Sequence, residues 1–177
     1  MKCSIVDIHT HRPTGKALEP SFAGIHPWQA ETRRIEEIVP RFGEVDLVGE
    51  IGLDYAGTVG REAQLRIFRE QLDWAERLGK PVVLHCVKAF EAVMRELAPH
   101  ALRAVIFHGF IGSPQQAAEA VKRGYYLSFG ERTFRSPRTV EALRRTPVEN
   151  LFAETDESDV PIEEIYRRIA QAKDLDP

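Results

Sequence analysis

Cysteine is scarce: the 177 residues include 2, Cys3 and Cys86, with no Cys-x-x-Cys spacing. That excludes a disulfide framework. Long hydrophobic runs are missing too, none approaching the roughly 18 apolar residues that a membrane-crossing helix needs. The opening MKCSIVDIHTH lacks the apolar core and small-residue cleavage site of a secretory signal. Together these absences predict a reduced, cytoplasmic protein without a membrane span. An excess of positive charge is also absent, since 24 Lys and Arg against 27 Asp and Glu leave a net charge of −3. No global basic field draws in nucleic acid, which counts against a simple DNA-binding module. It does not count against an enzyme, because divalent cations invert the charge of a carboxylate-lined site. Repeats, linkers and low-complexity tracts are missing as well, so residues 1–177 read as one domain. A hydrophobic fraction of 43% is enough for its core.

What the chain does have is an alternation of short apolar runs and helical patterns, which points to an α/β fold with a parallel sheet. The expected strands are CSIVDIH (3–9), FAGIH (22–26), DLVGEIGL (46–53), PVVLHC (81–86), AVIFHG (104–109), YYLSF (125–129) and NLFAET (150–155). A helix is expected over 61–78, with Leu65, Phe68, Leu72 and Ala75 as its apolar stripe and Gly79 as its stop. Ser113-Pro114 and Ser136-Pro137 each read as an N-cap followed by proline at the first helical position, and Gly124 closes the first of these helices. A last helix runs from about 161 to 173 on Ile162, Ile165 and Ile169.

Histidine is placed unevenly. In VDIHTH, Asp7, His9 and His11 share one face of the first strand, because side chains alternate with period 2. His26, His85 and His108 end the second, fourth and fifth strands, and only His100 sits at an ordinary helix end. Glu50 lies inside VGEIGLD and Asp156 follows LFAET. Parallel α/β folds bind ligands outside the carboxyl ends of their strands. Imidazoles and carboxylates converging there need a counter-charge, and a metal supplies it. The expected ligands are His9, His11, Glu50, His85, His108 and Asp156. Six are too many for one tetrahedral zinc and suit two ions sharing a bridging carboxylate. The donor set fits Zn, Mn, Fe or Co without choosing among them.

The ordered pieces DIHTH, GIHPW, GEIGLDY, KPVVLHC, FHGFIGS, YYLSFG and ETD run along almost the whole chain. Their series resembles the TatD-type metal-dependent deoxyribonucleases, a branch of the amidohydrolase-like TIM barrels. The resemblance implies a (β/α) barrel with two divalent ions (Zn, Mn, Mg or Co). His9 and His11 would hold the first ion with Asp156, Glu50 would bridge, and His85 and His108 would hold the second. It also implies hydrolysis of DNA phosphodiesters, often as a 3′→5′ exonuclease, with a metal-activated water that Asp156 orients or deprotonates.

Against that family pattern the chain is short. Only residues 12–23 separate His11 from GIHPW, where the family usually inserts another strand and helix. A contracted TIM-like barrel of about seven parallel strands, its second βα unit missing, is therefore expected, in keeping with a length below the roughly 200 residues of a full barrel. The chain ends at Pro177, ahead of the family's usual C-terminal helix and Asn…Arg-Leu-Phe tail. Val87 stands where arginine is common, with Lys88 one place on, Ile111 where serine is common, and Trp28 where a second histidine is common. Such changes resemble those of short TatD-like proteins.

The expected substrate contacts are His26, Trp28, Lys88 and Arg132. Trp28 either stacks on a base or sugar or packs the barrel rim. His26 either contacts phosphate or stabilises a turn. Lys88, Arg132 and Arg135 either meet phosphate or are exposed surface cations. Asp54 either supports a ligand or bonds a turn backbone. Cys86 should point away from the site and pack. The reading that leads is a two-metal phosphodiesterase acting on DNA, with Asp156 and Glu50 at the chemistry. The alternatives are a hydrolase of a small-molecule amide, lactone or phosphoester, and a non-catalytic metal-binding barrel.

Overall fold

In the computed structural model, residues 5–176 are described, so Cys3 and the start of the first expected strand lie outside. The chain divides into a middle unit, Ser21–Phe107, and an outer unit, Met1–Pro20 with His108–Pro177. Strands are parallel throughout both, and helices follow strands, the βα repeat of a contracted TIM-like barrel.

The middle unit pairs β1 (Phe22–Ala23), β2 (Leu47–Asp54), β3 (Val82–Val87) and β4 (Val105–Phe107) in that order. A one-turn helix α1 (Val39–Phe42) precedes β2, α2 (Arg61–Leu78) follows it, and α3 (Phe90–Leu97) follows β3. The 61–78 helix expected from periodicity is α2, and Gly79 closes it in the left-handed conformation, φ 60°. Phe68, Leu72 and Ala75 are fully buried on it, against a core that includes Ile51, Leu53, Val83 and Leu84. Each large side chain so buried contributes about 1.5–3 kcal/mol. Leu65 is only half-buried, and the amides of Gln64 and Gln71 are buried instead.

The Gln71 amide explains why the expected strand 22–26 shortens to Phe22–Ala23. The Ile25 N–H donates to Gln71 Oε1 (2.6 Å), and Gln71 Nε2 donates to the Ile25 carbonyl (3.1 Å). A helix side chain thus replaces a strand partner. Between Val48 and Ile51 the β2–β3 register shifts, a bulge that contains Gly49 and Glu50. Bulges re-aim side chains, and this one sits at the expected ligand.

In the outer unit β5 (Tyr126–Phe129) pairs with β6 (Leu151–Ala153). The helices are α4 (Pro114–Lys122), α5 (Pro137–Arg145) and α6 (Ile162–Ala172). Ser113 and Ser136 cap α4 and α5 as expected, accepting from Gln116 N–H and Thr139 N–H. The first expected strand appears among the described residues as single bridges. Ile8 N–H donates to Ala153 (3.1 Å), and Thr10 bridges Asp156. On its other side Val6 bridges Leu18 in parallel. Residues 12–21 contain no helix, and that one bridge at Leu18 stands where a further strand was expected to be missing.

Candidate metal centre

In the outer unit the backbone sets His9, His11 and Asp156 in register. Asp156 N–H donates to the His9 carbonyl (3.0 Å), and His11 N–H donates to the Asp156 carbonyl (3.0 Å). Asp156 itself takes φ 56°, a left-handed conformation that few non-glycine residues adopt. From there its Oδ1 lies 3.7 Å from His9 Nε2 and 3.7 Å from His11 Nε2. Ligand atoms around a tetrahedral ion with bonds near 2.0–2.1 Å sit roughly 3.3 Å apart. The three atoms are thus too far apart for strong hydrogen bonds and close to the spacing of a shared ion. His9 is fully buried, whereas the Asp156 side chain is 27% exposed and reaches solvent.

Asp7, on the same face of VDIHTH, has a different task. Its carboxylate accepts from Thr155 N–H (2.9 Å) and Thr155 Oγ1 (2.7 Å), tying the first segment to the loop after β6. Burial raises its carboxyl above the usual aspartate range despite these bonds. It is an anchor and no member of the ligand set.

His108 lies 3.3 Å through Nδ1 from Glu154 Oε1, and its ring is 4.3 Å from that of His9. Glu154 was not singled out from the sequence, yet it is 1% exposed and forms with His108 and Asp156 a further set able to hold an ion. Its signal was in ETD, where Glu154 stands two residues before Asp156 at the end of the last apolar run. Burial opposes its charge, but the imidazoles of His108 and His9 hold the carboxyl below the usual glutamate range.

In the middle unit Glu50 Oε2 lies 3.7 Å from His26 Nε2 and 3.5 Å from His85 Nδ1. His26, Glu50 and His85 form a third set able to hold an ion. Glycine is required beside it. At Gly52, φ 138°, a Cβ would come within 2.1 Å of the His85 carbonyl oxygen. Asp54 meets both a candidate ligand and a turn backbone. Its Oδ2 lies 3.1 Å from His85 Nε2 and accepts from Trp28 Nε1 (2.8 Å), while its Oδ1 accepts from Ala56 N–H (3.0 Å). Burial works against the Asp54 charge, but these donors hold its carboxyl below the usual range.

The Trp28 ring is held at that edge and remains 62% exposed. His26 Nδ1 accepts from Trp28 N–H (3.2 Å), and the two rings meet edge-on at 4.5 Å. Lys88 is exposed in the turn after β3, in the left-handed conformation, φ 49°. Arg132 is exposed in the helical turn Glu131–Arg135, where Arg135 binds Glu131 at 2.7 Å. Cys86 is half-buried, and burial pushes its thiol up to about 12.

The side chains therefore cluster into sets able to hold one or two divalent ions, the donor chemistry of a metallohydrolase. The family described as TatD related DNase matches residues 15–173. The chain belongs to the TatD-related DNase family. It is 34% identical over 157 residues to the uncharacterized metal-dependent hydrolase YjjV of Escherichia coli K12, covering 81% of this chain and 61% of that protein. It is 35% identical over 149 residues to the 3′-5′ ssDNA/RNA exonuclease TatD of Shigella flexneri serotype 5b, covering 77% and 56%. The crystal structure of YjjV superposes with a TM-score of 0.77 at 26% identity, over 87% of this chain and 69% of that one. This TatD-related chain thus spans less than two thirds of the length of either curated relative. The family match starts after VDIHTH, so the placement of His9 and His11 is supported here by geometry.

Proposed function

We propose that this TatD-related chain is a divalent-metal-dependent phosphodiesterase that hydrolyses single-stranded DNA, with residues 1–177 acting as one cytoplasmic hydrolase domain. The observation that carries the reading is the single oxygen Asp156 Oδ1, placed 3.7 Å from both His9 Nε2 and His11 Nε2 by a left-handed residue. His9, His11 and Asp156 would hold one ion and His85 a second. Glu50 and His108 keep the ligand roles implied by the resemblance. Bound ions lower the pKa of a coordinated water toward neutrality and neutralise phosphate oxygens.

The chain's own groups do the rest. The partly exposed Asp156 carboxylate orients the attacking water and takes its proton. Trp28, exposed yet fixed through its Nε1, offers a face on which a base stacks without sequence preference. The His26 ring, whose Nδ1 is an acceptor, carries its hydrogen on Nε2 and donates it to a phosphate oxygen. Lys88 and Arg132 add exposed cations.

A second reading, hydrolysis of a small-molecule amide, lactone or phosphoester, is favoured by Val87 and Ile111, apolar residues among the substrate-facing positions. The deciding experiment is digestion of end-labelled single-stranded DNA with Mg, Mn, Co or Zn, beside Asp156→Ala. Metal-dependent digestion lost in the variant supports the nuclease. Equal digestion by both proteins overturns the assigned site. Metal binding without digestion transfers the reading to the small-molecule hydrolase.

A further inference from the structure

Two imidazoles, those of His26 and His85, face Glu50 with their rings 4.4 Å apart. One nitrogen of each ring has a further partner: His26 Nδ1 accepts from Trp28 N–H, and His85 Nε2 lies 3.1 Å from Asp54 Oδ2. We infer that Asp54 is the positioning residue that selects the tautomer of His85, turning an Nδ1 without hydrogen toward Glu50, and joins that ring to Trp28. The inference rests on the reading of His85 as a metal ligand and goes beyond it by naming what prepares the ligand.

The Asp54 carboxylate accepts from Ala56 N–H at Oδ1 and from Trp28 Nε1 at Oδ2, and His85 Nε2 lies 3.1 Å from that same Oδ2. An ionised carboxylate accepts and never donates, so the His85 hydrogen sits on Nε2. In the neutral ring the lone pair is then on Nδ1, the nitrogen 3.5 Å from Glu50 Oε2. His26 is the reverse case. Its Nδ1 accepts from Trp28 N–H, so in the neutral ring its Nε2 carries a hydrogen, and binding an ion there would cost the ring its bond to Trp28. Of the two rings beside Glu50, only His85 is ready to ligate.

Asp54 is held firmly enough for this task. Gln64 Oε1 accepts from Asp54 N–H (2.7 Å), and Gln64 Nε2 donates to the Asp54 carbonyl (2.9 Å). A role confined to the turn would use Oδ1 and Ala56 alone. The two further donors on Oδ2 have no part in that turn. Because Trp28 and His85 share one oxygen, the exposed indole and the ligand ring are held as a unit.

The test is long-range proton–nitrogen NMR of the whole chain without metal, followed by Co²⁺ titration, on wild type, Asp54→Asn and Trp28→Phe. Wild-type His85 should show the Nε2–H pattern. Asp54→Asn should mix the tautomers and weaken Co²⁺ binding by about 10–100-fold. Trp28→Phe leaves the Asp54–His85 bond in place and should keep the wild-type tautomer. His100, whose Nδ1 faces Glu76 Oε2 at 2.7 Å, should keep its own pattern throughout and report an intact fold. An Nδ1–H pattern for His85 in wild type, or an unchanged Nε2–H pattern in a folded Asp54→Asn protein, overturns the inference. Wild-type protein that binds no Co²⁺ yet keeps the Nε2–H pattern upholds the positioning and overturns the metal reading alone.

Discussion

Gln71 bonds both peptide groups of Ile25, taking the N–H at 2.6 Å through Oε1 and giving Nε2 to the carbonyl at 3.1 Å. Gln64 treats Asp54 in the same way, two helical turns earlier on α2. One helix face thus fixes the backbone next to His26 and the backbone of Asp54. Replacing Gln71 by leucine keeps the volume but strands a buried donor and a buried acceptor. Each such group costs about 1–3 kcal/mol. We expect Gln71→Leu to lose about 2–4 kcal/mol in urea unfolding. A loss below about 1 kcal/mol would mean that water takes over the amide's bonds.

Gly52 in GEIGLDY and Gly79 at the end of α2 separate crowding from mere backbone preference. Gly52 and Gly79 both have positive φ, but a Cβ on Gly79 would meet nothing within 4 Å, whereas on Gly52 it would strike a carbonyl oxygen. Gly79→Ala should cost about 1–2 kcal/mol, the strain of a left-handed residue. Gly52→Ala should exceed about 4 kcal/mol or fail to give folded protein. Comparable melting temperatures for the two would show that β2 can shift away from β3.

What could be read in advance follows from the range of the interactions. The helix over 61–78 and the Ser-Pro caps are local patterns, complete within a few residues, and they appear where expected. The clustering of histidines and carboxylates was legible because strand ends collect chemistry in parallel folds. Gln64 and Gln71 were not legible, since a polar residue on an amphipathic helix reads as surface until its backbone partner is known. Asp7 shares the period of His9 and His11, and only the position of Thr155 reveals it as an anchor. Glu154 was hidden in ETD for the same reason: its partner, His108, is far away in sequence.

Arg69 grips Glu96 with two bonds, 2.6 and 2.9 Å, and holds that carboxyl below the usual glutamate range even though burial opposes the charge. A carboxyl lowered on folding stabilises the protein above its unfolded value, about 4.3, and loses that contribution as pH falls through the folded value. Since the Arg69 side chain is 55% exposed, solvent screening limits the gain to about 1 kcal/mol or less. Glu96→Gln should therefore be less stable than wild type at pH 7, with the gap closing on acidification below pH 4. A gap that stays constant with pH would assign the effect to packing.

Burial pushes the Cys86 thiol up to about 12, so almost no thiolate exists at pH 8. In a Cys3→Ser background, a disulfide reagent at pH 8 should leave Cys86 unmodified in the folded chain and label it fully in urea. Rapid labelling without denaturant would show that the segment after His85 opens readily.

Metal occupancy should be visible in stability before any substrate is known. An ion that binds only the folded chain stabilises it by RT ln(1 + [L]/Kd), about 2.7 kcal/mol at 100 times Kd. For a chain of this length that corresponds to roughly 5–11 °C in melting temperature. Wild type with excess Co²⁺ or Mn²⁺ should therefore melt higher, and a chelator should reverse the shift. Asp156→Asn leaves one acceptor oxygen beside His9 and His11 but removes the charge, so most of the shift should vanish. A shift that survives in Asp156→Asn and disappears in Glu50→Gln would move the tighter ion to His85 and Glu50. If neither variant alters a clear wild-type shift, the ion binds elsewhere on the chain, and the geometry around Asp156 Oδ1 has another cause.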